Sequence, residues 1–223
     1  KKNVIDLDNK EEVNRWYLEM SYVYAELNEL NRALMYLQAI LENYPSEEIK
    51  NIALSNMTKI YIDQGMIKEA KESLNQCLEG VLTANDEDGK LYCDYLLAKI
   101  CILENNFQFA KQIYEELFKN QNQLPTEYLN LVNEYISLLI KMNELDEAEK
   151  IIKQYEKKFQ EANIYIQKEF YKNKVKVASF KNSLVRDELN KILEMIDILD
   201  KEIASSKELV LYEAAEDEKN EEI

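Results

Sequence analysis

The sequence of 223 residues contains no histidine, only three glycines and only two prolines. The absence of histidine removes the commonest general base and the commonest metal ligand. Scarce glycine and proline leave few of the turn residues that β-hairpins require. Glutamate, lysine, leucine, isoleucine and alanine are abundant instead, and these residues favour helix. The composition therefore favours an all-α protein and disfavours a histidine-dependent enzyme.

The sequence also has fewer basic than acidic residues and lacks long apolar runs. The chain has 28 basic and 43 acidic residues, a net charge of −15, which repels nucleic-acid phosphates and anionic lipids. No apolar run approaches the ~20 residues of a membrane span. The opening residues KKNVIDLDNKEE lack the apolar stretch of a signal peptide. Because the first residue is Lys, we expect either an excised piece of a longer protein or a processed form. We expect a cytoplasmic location and no nucleic-acid or membrane partner for this segment.

Cysteine is scarce as well, with Cys77, Cys93 and Cys101 forming an odd set without the spacing of metal ligands. Cys93 and Cys101 lie two helical turns apart, too far to form a disulfide within one helix. We expect reduced, buried thiols, no cofactor and no metal site.

What the chain does contain is a ten-residue pattern that occurs four times. Each copy begins with Asn or Gly and carries an apolar residue at its third position, alanine at its sixth and a large apolar residue at its tenth. The copies are NELNRALMYL, GMIKEAKESL, NNFQFAKQIY and NELDEAEKII. Their alanines are separated by 37, 40 and 38 residues and are Ala33, Ala70, Ala110 and Ala148. A fixed period of this length is typical of stacked helical repeats.

Each copy of the pattern lies where one amphipathic helix ends and the next begins. Asn28, Gly65, Asn105 and Asn143 end the first helix, because Asn and Gly tolerate the left-handed backbone of a helix C-terminus. The alanine follows in the second helix, where we expect two helix backbones to cross closely. A larger side chain at that crossing would push the backbones apart.

Two connections carry residues that cap the following helix. Ser46, followed by Glu47 and Glu48, is a predicted N-cap with acidic residues in the first turn. The segment NDEDGK, residues 85–90, lacks the spaced ligands of a calcium loop, so we interpret it as an inter-repeat connection that caps the next helix.

Paired helices with a small residue at their turn, a recurring alanine and a closing proline resemble the tetratricopeptide repeat (TPR) family. In the first unit the matching residues are Tyr17, Met20, Ser21, Tyr24, Ala33, Leu37 and Pro45. The units are longer than the usual ~34 residues, as in the repeat domains of bacterial regulatory or signalling proteins. The resemblance implies an all-α, right-handed α-solenoid of about five antiparallel helix pairs with a C-terminal capping helix.

We predict three segments along the chain. Residues 1–12 are an N-terminal lead-in, residues 13–199 are the TPR-like repeat domain, and residues 200–223 are a capping helix and an acidic tail. The predicted units are residues 13–45, 47–82, 89–122, 126–160 and 169–199. In the fifth unit Leu189 replaces the alanine.

The resemblance also implies a concave groove, lined by the first helices of the pairs, that binds a partner. The groove positions combine basic residues, tyrosines that offer flat contact area, and asparagines that could hold a peptide backbone. They are Arg15, Tyr22, Ser55, Lys59, Tyr92, Tyr95, Lys99, Asn130, Asn133, Ser137, Tyr171 and Lys174. We predict a non-catalytic protein- or peptide-binding scaffold, as in the sensor part of a larger bacterial regulator. Its expected partner is acidic or has a free C-terminus.

Two other classes of function stay open at this point. A structural assembly part would self-associate into a homo-oligomer through its solenoid ends or convex face, and light scattering with and without peptides would identify it. An enzyme is disfavoured, because the sequence has no glycine-rich phosphate loop, nucleophile elbow or paired metal motif.

Overall fold

The computed structural model describes residues 9–119, 129–181, 190 and 192–205, and this part of the chain contains helices and no strand. The predicted all-α class is therefore confirmed. The chain divides into two compact units, unit 1 (Lys1–Asn120) and unit 2 (Gln121–Ile223). The helices of unit 1 are α1 (Lys10–Glu26), α2 (Leu30–Glu42), α3 (Glu47–Asp63), α4 (Ile67–Ala84), α5 (Glu87–Leu103) and α6 (Phe107–Lys119). Those of unit 2 are α7 (Leu129–Lys141), α8 (Leu145–Phe159) and α9 (Ile164–Phe180), followed by a helical segment over residues 192–205.

Four tight turns of one type join the helices within pairs. Asn28, Gly65, Asn105 and Asn143 have φ of 60°, 70°, 60° and 61°, which confirms the predicted left-handed positions. At the first turn the Glu29 amide donates to the Tyr24 carbonyl at 2.8 Å and the Asn28 amide donates to the Ala25 carbonyl at 3.0 Å. These two bonds form a Schellman motif, which satisfies carbonyls that the helix end leaves without partners. The same two bonds recur at the other three turns.

The connections between pairs begin the next helix with a polar cap. The Ser46 hydroxyl accepts from the Ile49 amide at 3.5 Å, and Glu47 and Glu48 occupy the first turn of α3, as predicted. Asp86 accepts from the Gly89 amide at 2.9 Å and starts α5, so the NDEDGK segment does cap a helix. The connection between α4 and α5 is only Asn85 and Asp86, because α4 continues to Ala84 and α5 already begins at Glu87.

The core of each unit lies between consecutive helices. All four recurring alanines are 0% exposed. The large apolar residues four positions further on are buried beside them, and these are Leu37, Leu74, Tyr114 and Ile152. In unit 2 the Phe159 and Phe170 rings stack with their centroids 3.9 Å apart, which joins α8 to α9. Burial of apolar surface on these faces stabilises the helix pairs by about 25 cal/mol for each Å² removed from water.

Several predicted features lie outside the described residues. They include Leu189 of the predicted fifth helix pair, most of the capping helix and acidic tail, and the lead-in up to residue 8. Within the described part, α9 begins at Ile164, and the helical segment that follows it reaches residue 205.

Candidate functional site

One side of unit 1 is built from the first helix of each pair. Helix α3 contacts both α1 and α5, so these three helices are neighbours. Ser55, Lys59 and Asp63 follow one another at intervals of four residues and therefore share one side of α3. We call the surface formed by Tyr22, Lys59, Asp63, Tyr92, Tyr95 and Lys99 the tyrosine face.

The electrostatic environment of Tyr92 shows which side chains of the tyrosine face lie together. Burial, together with the neighbouring Tyr95, Tyr22 and Asp63, raises the pKa of Tyr92 to about 12, and Lys99 opposes this rise. Side chains of α1, α3 and α5 therefore lie within electrostatic range of one another on this face. The face therefore unites residues that are up to 77 positions apart in the sequence.

Ring contacts fix the α5 part of the tyrosine face. The Tyr92 and Tyr95 ring centroids are 5.9 Å apart with an interplanar angle of 43°. The Lys99 ammonium lies 5.6 Å from the Tyr95 ring centroid, within the range of a cation–π contact. Tyr22 is 50% exposed and Tyr92 is 37% exposed, so both rings still offer surface to a partner.

The two basic residues on α1 and α3 differ in their partners. Arg15 donates to the Glu11 carboxylate at 3.2 Å along α1, so its charge is already matched. Lys59 is exposed and makes no salt bridge among the residues that the structure describes. An exposed ammonium of this kind, one helical turn from the Asp63 that acts on Tyr92, is a ready contact for an acidic group.

A cavity of about 530 Å³ adjoins the tyrosine face between α3, α4 and α5. Ser55 and Tyr92 line it on the side of the face, and Cys77 lines it on the side of α4. Ser55 is nearly buried and donates its hydroxyl hydrogen to the Ile52 carbonyl at 2.9 Å. Its hydroxyl is thus occupied within α3, which differs from the exposed groove contact that the sequence suggested.

The predicted positions in unit 2 form an internal polar ladder between α7 and α9. The Asn133 amide donates to the Ile166 carbonyl at 2.9 Å, and Asn173 donates to the Asn133 carbonyl at 3.2 Å. The Ser137 hydroxyl donates to the Asn173 side-chain oxygen at 3.2 Å. Asn133 is buried in this ladder, whereas Asn130 and Ser137 are exposed.

Tyr171 and Lys174 on α9 also have partners within unit 2. Tyr171 is 5% exposed, and burial raises the pKa of its hydroxyl. Lys174 pairs with Glu156 of α8 at 2.7 Å. These two side chains therefore contribute to helix packing in unit 2, and Asn130 and Ser137 are its more accessible predicted positions.

Two contacts between helices, one in each unit, were not predicted from the sequence. Asn173 was missed, although it lies 40 residues after Asn133, a spacing close to that of the alanines. That shared spacing is the signal that could have identified it. The contact between Cys77 on α4 and Cys93 on α5 was missed too, because it depends on helix packing and no local pattern marks it.

The described residues offer neither a metal site nor a membrane-spanning helix. They contain no group of three or more Cys, Asp or Glu side chains placed to hold a metal ion. None of the helices in the same part of the chain is long and apolar enough to cross a membrane.

Comparison with known proteins identifies the fold. No protein-family model and no curated protein sequence matches the chain. Among solved structures, it is similar to nearly identical TPR-like repeats assigned to a kinesin light chain of Podosopora anserina. A form of those repeats with one substituted residue has a TM-score of 0.58 at 16% identity, with 87% of this chain and 99% of that chain covered. The form without that substitution has a TM-score of 0.57 at 16% identity, with 85% and 95% covered.

MamA AMB-1 is a third similar structure, with a TM-score of 0.45, 13% identity and coverage of 84% of this chain and 92% of that chain. The kinesin light chain repeats confirm the predicted fold, which is that of a TPR-like helical-repeat solenoid.

Proposed function

We propose that the chain is a non-catalytic scaffold whose tyrosine face binds an extended segment of a partner protein that carries acidic groups. The observation that supports this most is the exposed Lys59, which has no salt bridge within the described residues. It lies one turn from Asp63, which acts on Tyr92 together with tyrosines of α1 and α5. We further propose that this scaffold acts in the cytoplasm as the interaction part of a larger regulator.

The chemistry of the tyrosine face suits an acidic peptide. Tyrosine rings bury large, rigid contact area at a low cost in side-chain entropy, and their hydroxyls bond to peptide polar groups. Lys59 and Lys99 exceed the single acid Asp63 by one charge, in a chain with a net charge of −15. Because Lys99 is held near the Tyr95 ring, its ammonium loses less freedom on binding than an unrestrained lysine.

The test is a pair of charge-reversal variants with the same net charge. Lys59→Glu combined with Lys99→Glu removes two attractive contacts and adds two repulsive ones, so we expect at least about a tenfold rise in Kd, or ~1.4 kcal/mol. Binding is measured by fluorescence anisotropy with an acidic peptide, its C-terminally amidated form and a basic peptide of equal length. The two acidic forms distinguish recognition of side-chain charge from recognition of a terminal carboxylate.

Lys68→Glu combined with Lys150→Glu is the control. These lysines are 84% and 71% exposed, and their salt bridges to Glu72 and Glu147 lie within their own helices, where such contacts stabilise little. The control should bind like the unaltered chain, and both variants should keep their helicity by circular dichroism. Equal weakening in the two variants, or unchanged binding after reversal of Lys59 and Lys99, would refute the assignment. A tight homo-oligomer by light scattering that binds none of the peptides would favour self-assembly instead.

A further inference from the structure

Two cysteines are in contact beside the cavity in unit 1, and one of them lines it. Cys77 on α4 and Cys93 on α5 have their sulfur atoms 3.6 Å apart. Both thiols are free and each is 2% exposed. The two helices are joined by only Asn85 and Asp86, so the chain itself holds the sulfurs next to each other.

The hydrogen bonds of the pair give the two sulfurs different roles. The Cys93 thiol donates to the Cys77 sulfur, and the Cys77 thiol donates to the Asn51 carbonyl at 3.4 Å. The bond from Cys93 lowers the pKa of Cys77 because it stabilises a thiolate there, although burial and Asp86 act in the opposite direction. For Cys93, donation of that same bond and burial raise the pKa.

The cavity provides an approach to one of the two sulfurs. Cys77 lines the cavity of about 530 Å³, together with residues of α3 and the start of α5, whereas Cys93 does not line it. Ala84 lies on the cavity wall and is exposed. Of the two sulfurs, that of Cys77 therefore belongs to the residue on the cavity wall, and that of Cys93 lies 3.6 Å from it.

We infer that Cys77 and Cys93 form an oxidation site for hydroperoxides, in which Cys77 is the attacking thiol and Cys93 the resolving thiol. The Cys77 thiolate attacks one peroxide oxygen and the O–O bond breaks. The second oxygen takes up the proton that Cys77 released and leaves as water from hydrogen peroxide, or as an alcohol from an organic hydroperoxide. Cys77 is then a sulfenic acid. Cys93 attacks its sulfur, the S–O bond breaks, a second water leaves, and the S–S bond forms.

The products balance and the geometry permits the second step. Two thiols lose two electrons and two protons, and one hydrogen peroxide becomes two waters. A disulfide bond is about 2.05 Å long, so the sulfurs must approach by only about 1.5 Å. This inference is independent of the proposed binding function, because neither cysteine belongs to the tyrosine face.

The experiment treats the reduced full chain with hydrogen peroxide and counts thiols after denaturation. We expect two of the three thiols to disappear, the intact mass to fall by two hydrogens, and a linked peptide to join Cys77 to Cys93. Dithiothreitol should reverse the change. Cys101, which is buried on α5, is the internal control and should stay reduced.

Single substitutions separate the two roles. In Cys93→Ser or Cys93→Ala, Cys77 should stop at the sulfenic acid, which dimedone traps, and in Cys77→Ser neither remaining thiol should react. Cys101→Ser should behave like the unaltered chain. Circular dichroism verifies that each variant is folded. Oxidation of Cys101 as fast as Cys77, or disulfides that form only between chains, would overturn the inference.

Access through the cavity is tested at its wall. Ala84→Trp should slow the reaction, and slow it more for cumene hydroperoxide than for hydrogen peroxide, because the larger oxidant needs a wider opening. Thr83→Trp places the same bulk one residue away, at an exposed position that does not line the cavity. Equal rates in these two variants would show that the oxidant does not enter by this route.

Discussion

The recurring alanines determine how closely the helices of a pair approach. Ala110 is 0% exposed, and it lies four residues before the fully buried Tyr114. We expect Ala110→Leu to lower the free energy of unfolding by about 1–3 kcal/mol, because the added carbons enter a space that is already filled. Urea unfolding followed by circular dichroism measures the change. Ala204→Leu, at an exposed helical position, should change it by less than about 0.5 kcal/mol. A similar loss in both variants would contradict the close-crossing argument.

Residue roles could be predicted from the sequence where spacing alone decides them. The buried alanines follow from their period, and the exposed Lys59 follows from its place on a helix. Asn133 could not be interpreted in that way, because the carbonyl that accepts its hydrogen bond belongs to Ile166, 33 residues away. Tyr171 is buried rather than exposed for a similar reason. Helix geometry gives the direction of a side chain, whereas its contacts depend on which helix lies opposite.

The turns inside the helix pairs depend on a residue that tolerates a left-handed backbone. Gly65 has φ of 70°, and a Cβ atom added there would meet nothing within 4 Å. Any cost of Gly65→Ala is therefore conformational, and we expect it to lower the free energy of unfolding by about 1–2 kcal/mol. Gly65→Asn should cost less, because Asn occupies the same position in the other three turns. Thermal unfolding measures both. An alanine variant as stable as the asparagine variant would refute this explanation.

The helix boundaries show what the sequence determines locally. The four Schellman turns could be predicted because each depends on Asn or Gly at one fixed offset from the alanine. Tyr44 also has a positive φ, 51°, and was not predicted. The following Pro45 favours an extended backbone at that position. Instead Tyr44 adopts the left-handed region and its ring contacts the Lys10 ammonium at 4.8 Å, an interaction between residues that are distant in the sequence.

The net charge of −15 acts at the scale of the whole molecule and in opposition to the local charge of the tyrosine face. At 0.01 M salt the Debye length is ~30 Å, so an approaching acidic peptide is repelled by the whole chain. At 0.15 M it is ~8 Å, and only nearby charges matter. Association is governed by the long-range field, whereas dissociation is governed by contacts at the bound surface.

This opposition predicts an unusual salt dependence for the proposed acidic partner. Raising the salt concentration from about 0.01 to 0.15 M should increase its association rate, because screening removes the repulsion. The dissociation rate should also rise, because screening weakens the contacts of Lys59 and Lys99, so the two changes partly offset each other in Kd. Stopped-flow fluorescence measures both rates.

In the Lys59→Glu and Lys99→Glu variant the dissociation rate should lose its increase with salt, while the association rate keeps it. An association rate that falls with salt in the unaltered chain would mean that the tyrosine face, rather than the net charge, dominates the approach of the peptide.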